Sequence, residues 1–307
     1  DLRMLAPGAV NIRGNLTEGK GQEGWRTEWG FRLSRPEEGH YYVSEPTFKS
    51  DTPSLAELDK FKWPDPADPR RVEGLKEAAE RMHRQTDYAV VLYFPGRIIS
   101  LGQFMRGFGT WFEDLLVNQE FAAALMDRGL EIQLEMGRRM LEEVGDNIDI
   151  LYIADDLGGQ TGPLLSPDLY RKMIKPRQKR LFDFMKGRSK AKIMVHSCGS
   201  VHAFIGDLID MGVDALNPVQ VSARDMGSDR LKREYGDKIC FWGGIDTHRV
   251  LPFGTPDEVR KEVKRTIEDL APGGGYICAS VHNIQKEVPP ENVCAMFEAA
   301  LEFGRYR

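Results

Sequence analysis

The chain has 307 residues, room for one large domain or two ordinary ones, and an α/β barrel of about 250 residues plus decoration fits that length. Its 42 Lys+Arg against 47 Asp+Glu leave it mildly acidic without a basic block, which argues against nucleic acid or an anionic membrane as main partner. No apolar run approaches the roughly 20 residues of a membrane span, and nothing at the start has the form of a signal peptide. The four cysteines (198, 240, 278 and 294) form no dense framework and read as reduced thiols of a cytoplasmic enzyme. The chain opens on Asp1 and not Met, so a preceding piece is allowed for.

Residues 1–75 read as an irregular extension packed on a domain spanning 76–307. Trp25 to Ser34 and Tyr41 to Ser44 are extended pieces around the turn signal Pro36-Glu-Glu-Gly39, which predicts a hairpin. Pro64, Pro66 and Pro69 mark an extended connection to a helix over Val72–Gln85. From there the pattern is regular. Tyr88–Phe94 is a buried strand, followed by helices over Leu101–Leu116 and Asn118–Val144, the second with Phe121, Leu125, Ile132, Met136 and Met140 on its apolar side. Ile148–Ala154 is the next strand. Ser166-Pro167 opens a helix that Pro176 breaks or kinks. Ala191-Lys-Ile-Met-Val-His-Ser-Cys-Gly199 is a strand with a reactive end, and Ser200 is placed to N-cap the helix carrying Phe204, Ile205, Leu208 and Ile209. Further strands lie at Val213–Gln220, Lys238–Asp246 and Gly275–His282. The helices between them include a capping box at Thr255-Pro-Asp-Glu258 with a stripe of Val259, Val263, Ile267 and Leu270, and a last helix over Pro290–Phe303.

Strands alternating with helices predict a parallel sheet. About six units are clear, and no G-x-G-x-x-G follows any strand, which favours a TIM (β/α)8 barrel over a doubly wound sheet. The C-terminal strand ends carry the polar groups: Asp155 and Asp156, His196 and Cys198, Asn217 and Gln220, Asp246, Ser280 and His282. His196-x-Cys198 is the strongest pair. Residues i and i+2 of a strand share a face roughly 6.5 Å apart, and imidazole with thiolate suits zinc, whose catalytic sites use three protein ligands and an open position. A buried Cys beside a hydrogen-bonded His is the plain alternative. The third ligand is Cys278 or His282, with His282 preferred because it lies at the strand end. One of Asp155 and Asp156 faces the site, as a metal ligand or as a general acid or base. Asp246 follows Gly243-Gly244, a pair that admits a close ligand, or else caps the next helix. Gln160, Asn217, Gln220 and Trp242 are the substrate-binding candidates; turn chemistry near Pro218 and core packing of Trp242 are the alternatives.

From Ile148 to Tyr306 the chain resembles the uroporphyrinogen decarboxylase superfamily, in particular its branch of corrinoid-dependent methyltransferases. The resemblance rests on Asp155-Asp-Leu-Gly-Gly-Gln160, Ser166-Pro167, His196-Ser-Cys-Gly199, Gly212-Val-Asp-Ala-Leu-Asn-Pro218, Phe241-Trp-Gly-Gly-Ile-Asp246, Val281-His-Asn-Ile284 and Pro289-Pro-Glu-Asn292. It implies a TIM barrel and zinc held by His196, Cys198 and a later residue. The family's later Cys falls nearest His282, giving a His/Cys/His site. The implied reaction moves a methyl group between the heteroatom of a small-molecule donor or acceptor and a methylcorrinoid on a separate corrinoid protein, with Asp155, Asp156 or Asp246 as catalytic carboxylates. The assembly considered is a homodimer. The superfamily's cofactor-free decarboxylases use a stretch of the type R-Q-A-G-R-Y, which is not found in this sequence. Decarboxylation and a catalytically silent binding barrel are the competing readings.

Overall fold

The computed structural model describes residues 2–5, 24–34 and 42–305, so the turn expected at Pro36–Gly39, Tyr41, and Tyr306 at the end of the resembling stretch lie outside the described residues. The chain divides into two compact units, Asp1–Asp155 with Asp168–Lys192, and Asp156–Pro167 with Ile193–Arg307.

The first unit opens with β1 (Leu2–Leu5) and a small antiparallel sheet of β2 (Trp25–Arg26), β3 (Arg32–Ser34) and β4 (Tyr42–Glu45). The hairpin expected across the early extended pieces is the β3–β4 pair, Ser34 opposite Tyr42. Phe48, Phe61 and Trp63, which follow it, and Trp29, which precedes it, form an aromatic cluster with edge-to-face contacts, among them 5.0 Å between the Phe61 and Trp63 centroids. Such edge-on pairs place a positive ring edge on a negative ring face. The cluster gives this irregular stretch a core of its own. Then come α1 (Leu55–Lys60), α2 (Leu75–Gln85), β5 (Ala89–Tyr93), α3 (Ile99–Arg106), α4 (Phe108–Val117), α5 (Gln119–Val144) and β6 (Ile150–Ala154). Finally α6 (Pro167–Leu169) runs through a π-helical turn, Tyr170–Ile174, into α7 (Lys175–Lys186). The kink expected from Pro176 takes this form: the proline, which has no N–H to donate, follows directly on the wide turn in a helix that continues through it.

β5 is parallel to β1 and to β6, and Val90, Val91 and Leu92 are buried, as in a parallel strand covered on both faces. α5 buries Phe121, Leu125, Ile132, Met136 and Met140, the stripe expected from the 3.6-residue period. The single helix expected over Leu101–Leu116 is two. Gly107 adopts φ +88°, a conformation open to glycine and hostile to a helix interior, so the chain turns there between α3 and α4. Arg106, at the end of α3, is 2% exposed; its Nε donates to the Asp114 carboxylate of α4 at 2.5 Å, and its Nη1 donates to the Phe48 carbonyl at 2.6 Å.

The second unit begins with a two-residue-strand hairpin, β7 (Gly158–Gly159) and β8 (Gly162–Pro163). Then follow β9 (Lys192–His196), α8 (His202–Asp210), β10 (Ala215–Val219), α9 (Ser228–Tyr235), β11 (Cys240–Ile245), α10 (Val250–Phe253), α11 (Pro256–Leu270), β12 (Tyr276–Ser280) and α12 (Pro290–Phe303). The strands pair in parallel in the order β9-β10-β11-β12. The capping box forms as expected: Thr255 Oγ1 accepts from Glu258 N at 3.3 Å, and the Glu258 carboxylate accepts from Thr255 N at 2.7 Å. The α11 stripe Val259, Val263, Ile267 and Leu270 is buried. One expectation fails. α8 starts after Val201, not Ser200, because the Ser200 amide turns back to the Gly159 carbonyl at 2.8 Å.

All six expected strands are present and β1 adds another parallel one, so the chain is an α/β protein with parallel strands. A closed eight-stranded barrel is not shown by the described residues. Among these residues no helix is long and apolar enough to cross a membrane. Removing one partner of a buried ion pair leaves an uncompensated charge, so Asp114→Ala is expected to destabilise the protein by about 3–5 kcal/mol, read as a fall in the urea midpoint with little change in slope.

Candidate metal centre

Strand register decides which side chains meet. Successive residues of a strand alternate faces and paired residues share one. His196 pairs with Asn217, Ala215 with Cys240, and Trp242 with Ile277, so His196, Asn217, Cys240, Trp242, Ile277 and Ala279 occupy one face. Phe241 pairs with Tyr276 and Gly243 with Cys278, which puts Cys278 on the opposite face. His282 lies just beyond β12. There the Val281 amide extends the pairing to the Ile245 carbonyl at 2.9 Å, and Ser280 Oγ donates to the His282 carbonyl at 2.8 Å. The result is a cluster of His196, Cys198 and His282 whose ligand atoms all lie within 4.8 Å of one another. His196 Nε2 is 3.3 Å from Cys198 Sγ, and the two imidazole centroids are 5.7 Å apart.

His196 Nδ1 lies 2.6 Å from Asn217 Oδ1. The amide oxygen can only accept, so Nδ1 carries the proton and donates, and Nε2 presents its lone pair toward the sulfur. Burial, then the Asp156 charge, pushes the Cys198 thiol up to about 12. A thiolate there needs a positive neighbour, which a divalent cation supplies. The His196–Cys198 spacing of 3.3 Å also suits one: on a tetrahedral zinc with bonds of about 2.0 Å to nitrogen and 2.3 Å to sulfur, two donors stand roughly 3.5 Å apart.

The loop that carries Cys198 is fixed at each residue. The amides of Ser197, Cys198, Gly199 and Ser200 donate in turn to Asn217 O (2.7 Å), Asp156 Oδ1 (2.8 Å), Gln220 Oε1 (2.7 Å) and Gly159 O (2.8 Å). Ser197 Oγ also accepts from the Leu157 amide at 2.8 Å. At Gly199, with φ +82°, a Cβ would stand 2.5 Å from the Gly158 carbonyl, so only glycine lets the two segments approach this closely. Gln220 Nε2 donates to Gln160 Oε1 at 3.0 Å, and Gln160 Nε2 donates to the Ser222 carbonyl.

The other candidate residues have settings of their own. Asp156 lies against Cys198 through its amide. Asp155 belongs to the first unit, where its buried carboxylate accepts from the Ile98, Ile99 and Ser100 amides at the start of α3 and from Gln178. Asp246 Oδ1 accepts from the His248 amide at 2.8 Å, a local turn after β11. Asn217 and Gln220, read from sequence as substrate contacts or turn formers, hydrogen-bond His196 and the Cys198 loop. Trp242 is half-buried on the face of His196. At Gly243 and Gly244 added Cβ atoms would meet Val219 N at 3.1 Å and Thr266 Cγ2 at 2.7 Å, so neighbouring segments pack close against both. Sequence reasoning gave no role to Ser197 or to the Gly158–Gly159 hairpin. The only signal for them was their presence in the two resembling segments, because the bonds that use them join parts of the chain remote from each other in sequence.

The model of the family Uroporphyrinogen decarboxylase (URO-D) matches residues 38–303, and the chain belongs to that family. The match bears out the resemblance drawn from the motifs, and methyltransferases are among the similar proteins. A methylcobamide:CoM methyltransferase MtaA from Methanosarcina barkeri is 28% identical over 182 residues, 58% of this chain and 49% of that protein. A uroporphyrinogen decarboxylase from Methylococcus capsulatus is 27% identical over 267 residues, 84% of this chain and 72% of that protein. The chain thus spans about half the length of the first of these relatives. A solved methyltransferase from Methanosarcina mazei superposes with a TM-score of 0.66 at 20% identity, over 91% of this chain and 77% of that one, and so shares its fold.

Gln220→Leu leaves the buried Gly199 amide without an acceptor and breaks the bond to Gln160. The loss of buried partners is expected to lower stability by about 1–3 kcal/mol, measured by urea unfolding, with faster amide exchange at Gly199 than at β9.

Proposed function

We propose that the protein is a zinc-dependent methyltransferase of the cytoplasm that moves a methyl group between a small-molecule heteroatom and a corrinoid carried by a separate protein, on an eight-stranded barrel of the TIM type. One observation carries the reading: a His, Cys and His donor set within 4.8 Å, with its loop amides and His196 tautomer already fixed. His196, Cys198 and His282 would hold the ion. Bound zinc would supply Lewis acidity, favouring the thiolate of a thiol acceptor or improving an ether or amine heteroatom as a leaving group.

The protein's own residues prepare that chemistry. Asn217 keeps the His196 proton on Nδ1, so Nε2 is available as a donor without rotation. Asp156 orders Cys198 through its amide and raises the negative charge around the sulfur, which favours a cation there over a bare thiolate. Asp156 is also the carboxylate we assign to the proton on the reacting heteroatom. Asp155 and Asp246 serve by holding the segments after β5 and β11. Trp242, on the same face as His196, offers an apolar wall to the substrate.

Elemental mass spectrometry of protein purified without chelator tests the assignment. Near-stoichiometric zinc is expected in the wild type and its loss in Cys198→Ala; a metal-free wild type removes the basis of the mechanism and redirects attention to cofactor-free decarboxylation. With zinc present, cobalamin-dependent methyl transfer is then measured against corrinoid proteins. Asn217→Ala frees the His196 ring, and loss of such a partner typically costs 10–100-fold in metal affinity, or roughly 1.4–2.7 kcal/mol, measured by competition with a colorimetric chelator.

A further inference from the structure

The first unit holds a guanidinium that the metal chemistry does not use. Arg97 follows β5 in the sequence Tyr93-Phe-Pro-Gly-Arg97, just past the strand's C-terminal end. Its main chain is held on both sides by one buried side chain: Gln133 Oε1 accepts from the Arg97 amide at 2.6 Å, and Gln133 Nε2 donates to the Arg97 carbonyl at 3.0 Å. The three amides that follow, of Ile98, Ile99 and Ser100, are held by Asp155. Gly96 lies tight against Leu181 and Ile153, where a Cβ would come within 2.8 Å and 3.0 Å of their side chains. The main chain is thus held from Gly96 to Ser100.

Its side chain is different. Of five N–H donors in the guanidinium, one meets the Tyr93 hydroxyl at 2.8 Å, and the group stands 5.4 Å from the Phe104 ring centroid. Tyr152 is paired with Tyr93 across β5 and β6, their rings edge-to-face at 4.9 Å, and it too acts electrostatically on Arg97. Asp155 acts on it only through space, its oxygens being engaged by the α3 amides and Gln178. Among the described residues no carboxylate pairs with Arg97. The guanidinium is half-buried and permanently charged, and with one donor engaged by the Tyr93 hydroxyl it keeps others for a carboxylate. Arginine matches a planar carboxylate with two parallel bonds, and three aromatic rings beside it suit an apolar or aromatic body.

We propose that Arg97, with Tyr93 and Tyr152, binds the carboxylate of a small organic acid with an aromatic or apolar body, at the C-terminal ends of β5 and β6. This site is independent of the metal reading: none of its residues belongs to the cluster of His196, Cys198 and His282.

Isothermal titration of benzoate, with benzamide as its uncharged counterpart, tests the proposal on wild type, Arg97→Gln and Arg97→Lys, each also as a Cys198→Ser variant so that carboxylate binding to a metal is separated. Benzoate is expected to bind in both Cys198 backgrounds, with benzamide and Arg97→Gln each weaker by about tenfold or more. Arg97→Lys should keep a preference for benzoate over benzamide at reduced affinity. Three results would overturn the proposal: no benzoate binding at millimolar concentration, equal affinity for benzoate and benzamide in the wild type, or binding that disappears with Cys198→Ser alone. Unchanged affinity in Arg97→Gln does the same. If Arg97→Gln does not fold, Arg97→Lys decides: loss of the benzoate preference overturns the proposal, and its retention at lower affinity supports it.

Discussion

The second unit depends on four consecutive amides that each find a different acceptor. Backbone N–H groups buried without a partner are costly, and a loop at the end of a parallel strand has no ladder to satisfy them. Here Ser197 turns to β10, Cys198 to Asp156, Gly199 to Gln220 and Ser200 to Gly159. Each bond is modest by itself, on the order of 1 kcal/mol net. Together they tie each residue of the loop that carries the Cys198 sulfur.

The same economy of polar groups explains where the other candidate residues went. Asn217 lies on β10 and Gln220 directly after it. The first orients His196 and the second orients the loop after Cys198. Gln160 then ties Gln220 to the turn between β7 and β8. Neutral amides suit this work because they donate and accept at once and bring no charge that would compete with a cation. The carboxylates divide in a similar way. Asp155 orders the segment after β5 and Asp246 its own turn, whereas Asp156 alone among the three is bonded to the cysteine amide.

The two units hold their polar clusters in different ways. At His196 and Cys198 the ring nitrogen and the sulfur stand 3.3 Å apart, and the amides of the loop that carries Cys198 are all engaged. At Arg97 the backbone is pinned by Gln133, while the guanidinium makes one hydrogen bond, to the Tyr93 hydroxyl. The first unit devotes Gln133, Asp155 and Gly96 to the Arg97 segment, as the second devotes Asp156, Gln220 and Gly199 to Cys198.

Periodicity in the sequence was sufficient for the six central strands, for α5 and α11 with their buried stripes, for the Thr255 capping box and for the last helix, because each is set by local alternation or by a cap within one helical turn. The pair His196 and Cys198 was legible for the same reason, one residue apart at a strand end. What tertiary structure decided lies at longer range. Parallel register put Cys278 on the opposite face from His196, and the turn of the chain beyond β12 brought His282 to His196 and Cys198. The break at Gly107 divided a helix whose apolar pattern ran through it. The roles of Asn217, Gln220 and Ser197 depend on partners on other strands and loops, and so does the pinning of the Arg97 backbone by Gln133. Strand order and helix packing set those meetings, and no local pattern encodes them. The aromatic cluster between Trp29 and Trp63 was hidden for the same reason: its rings follow no period and meet only when the chain has folded around them.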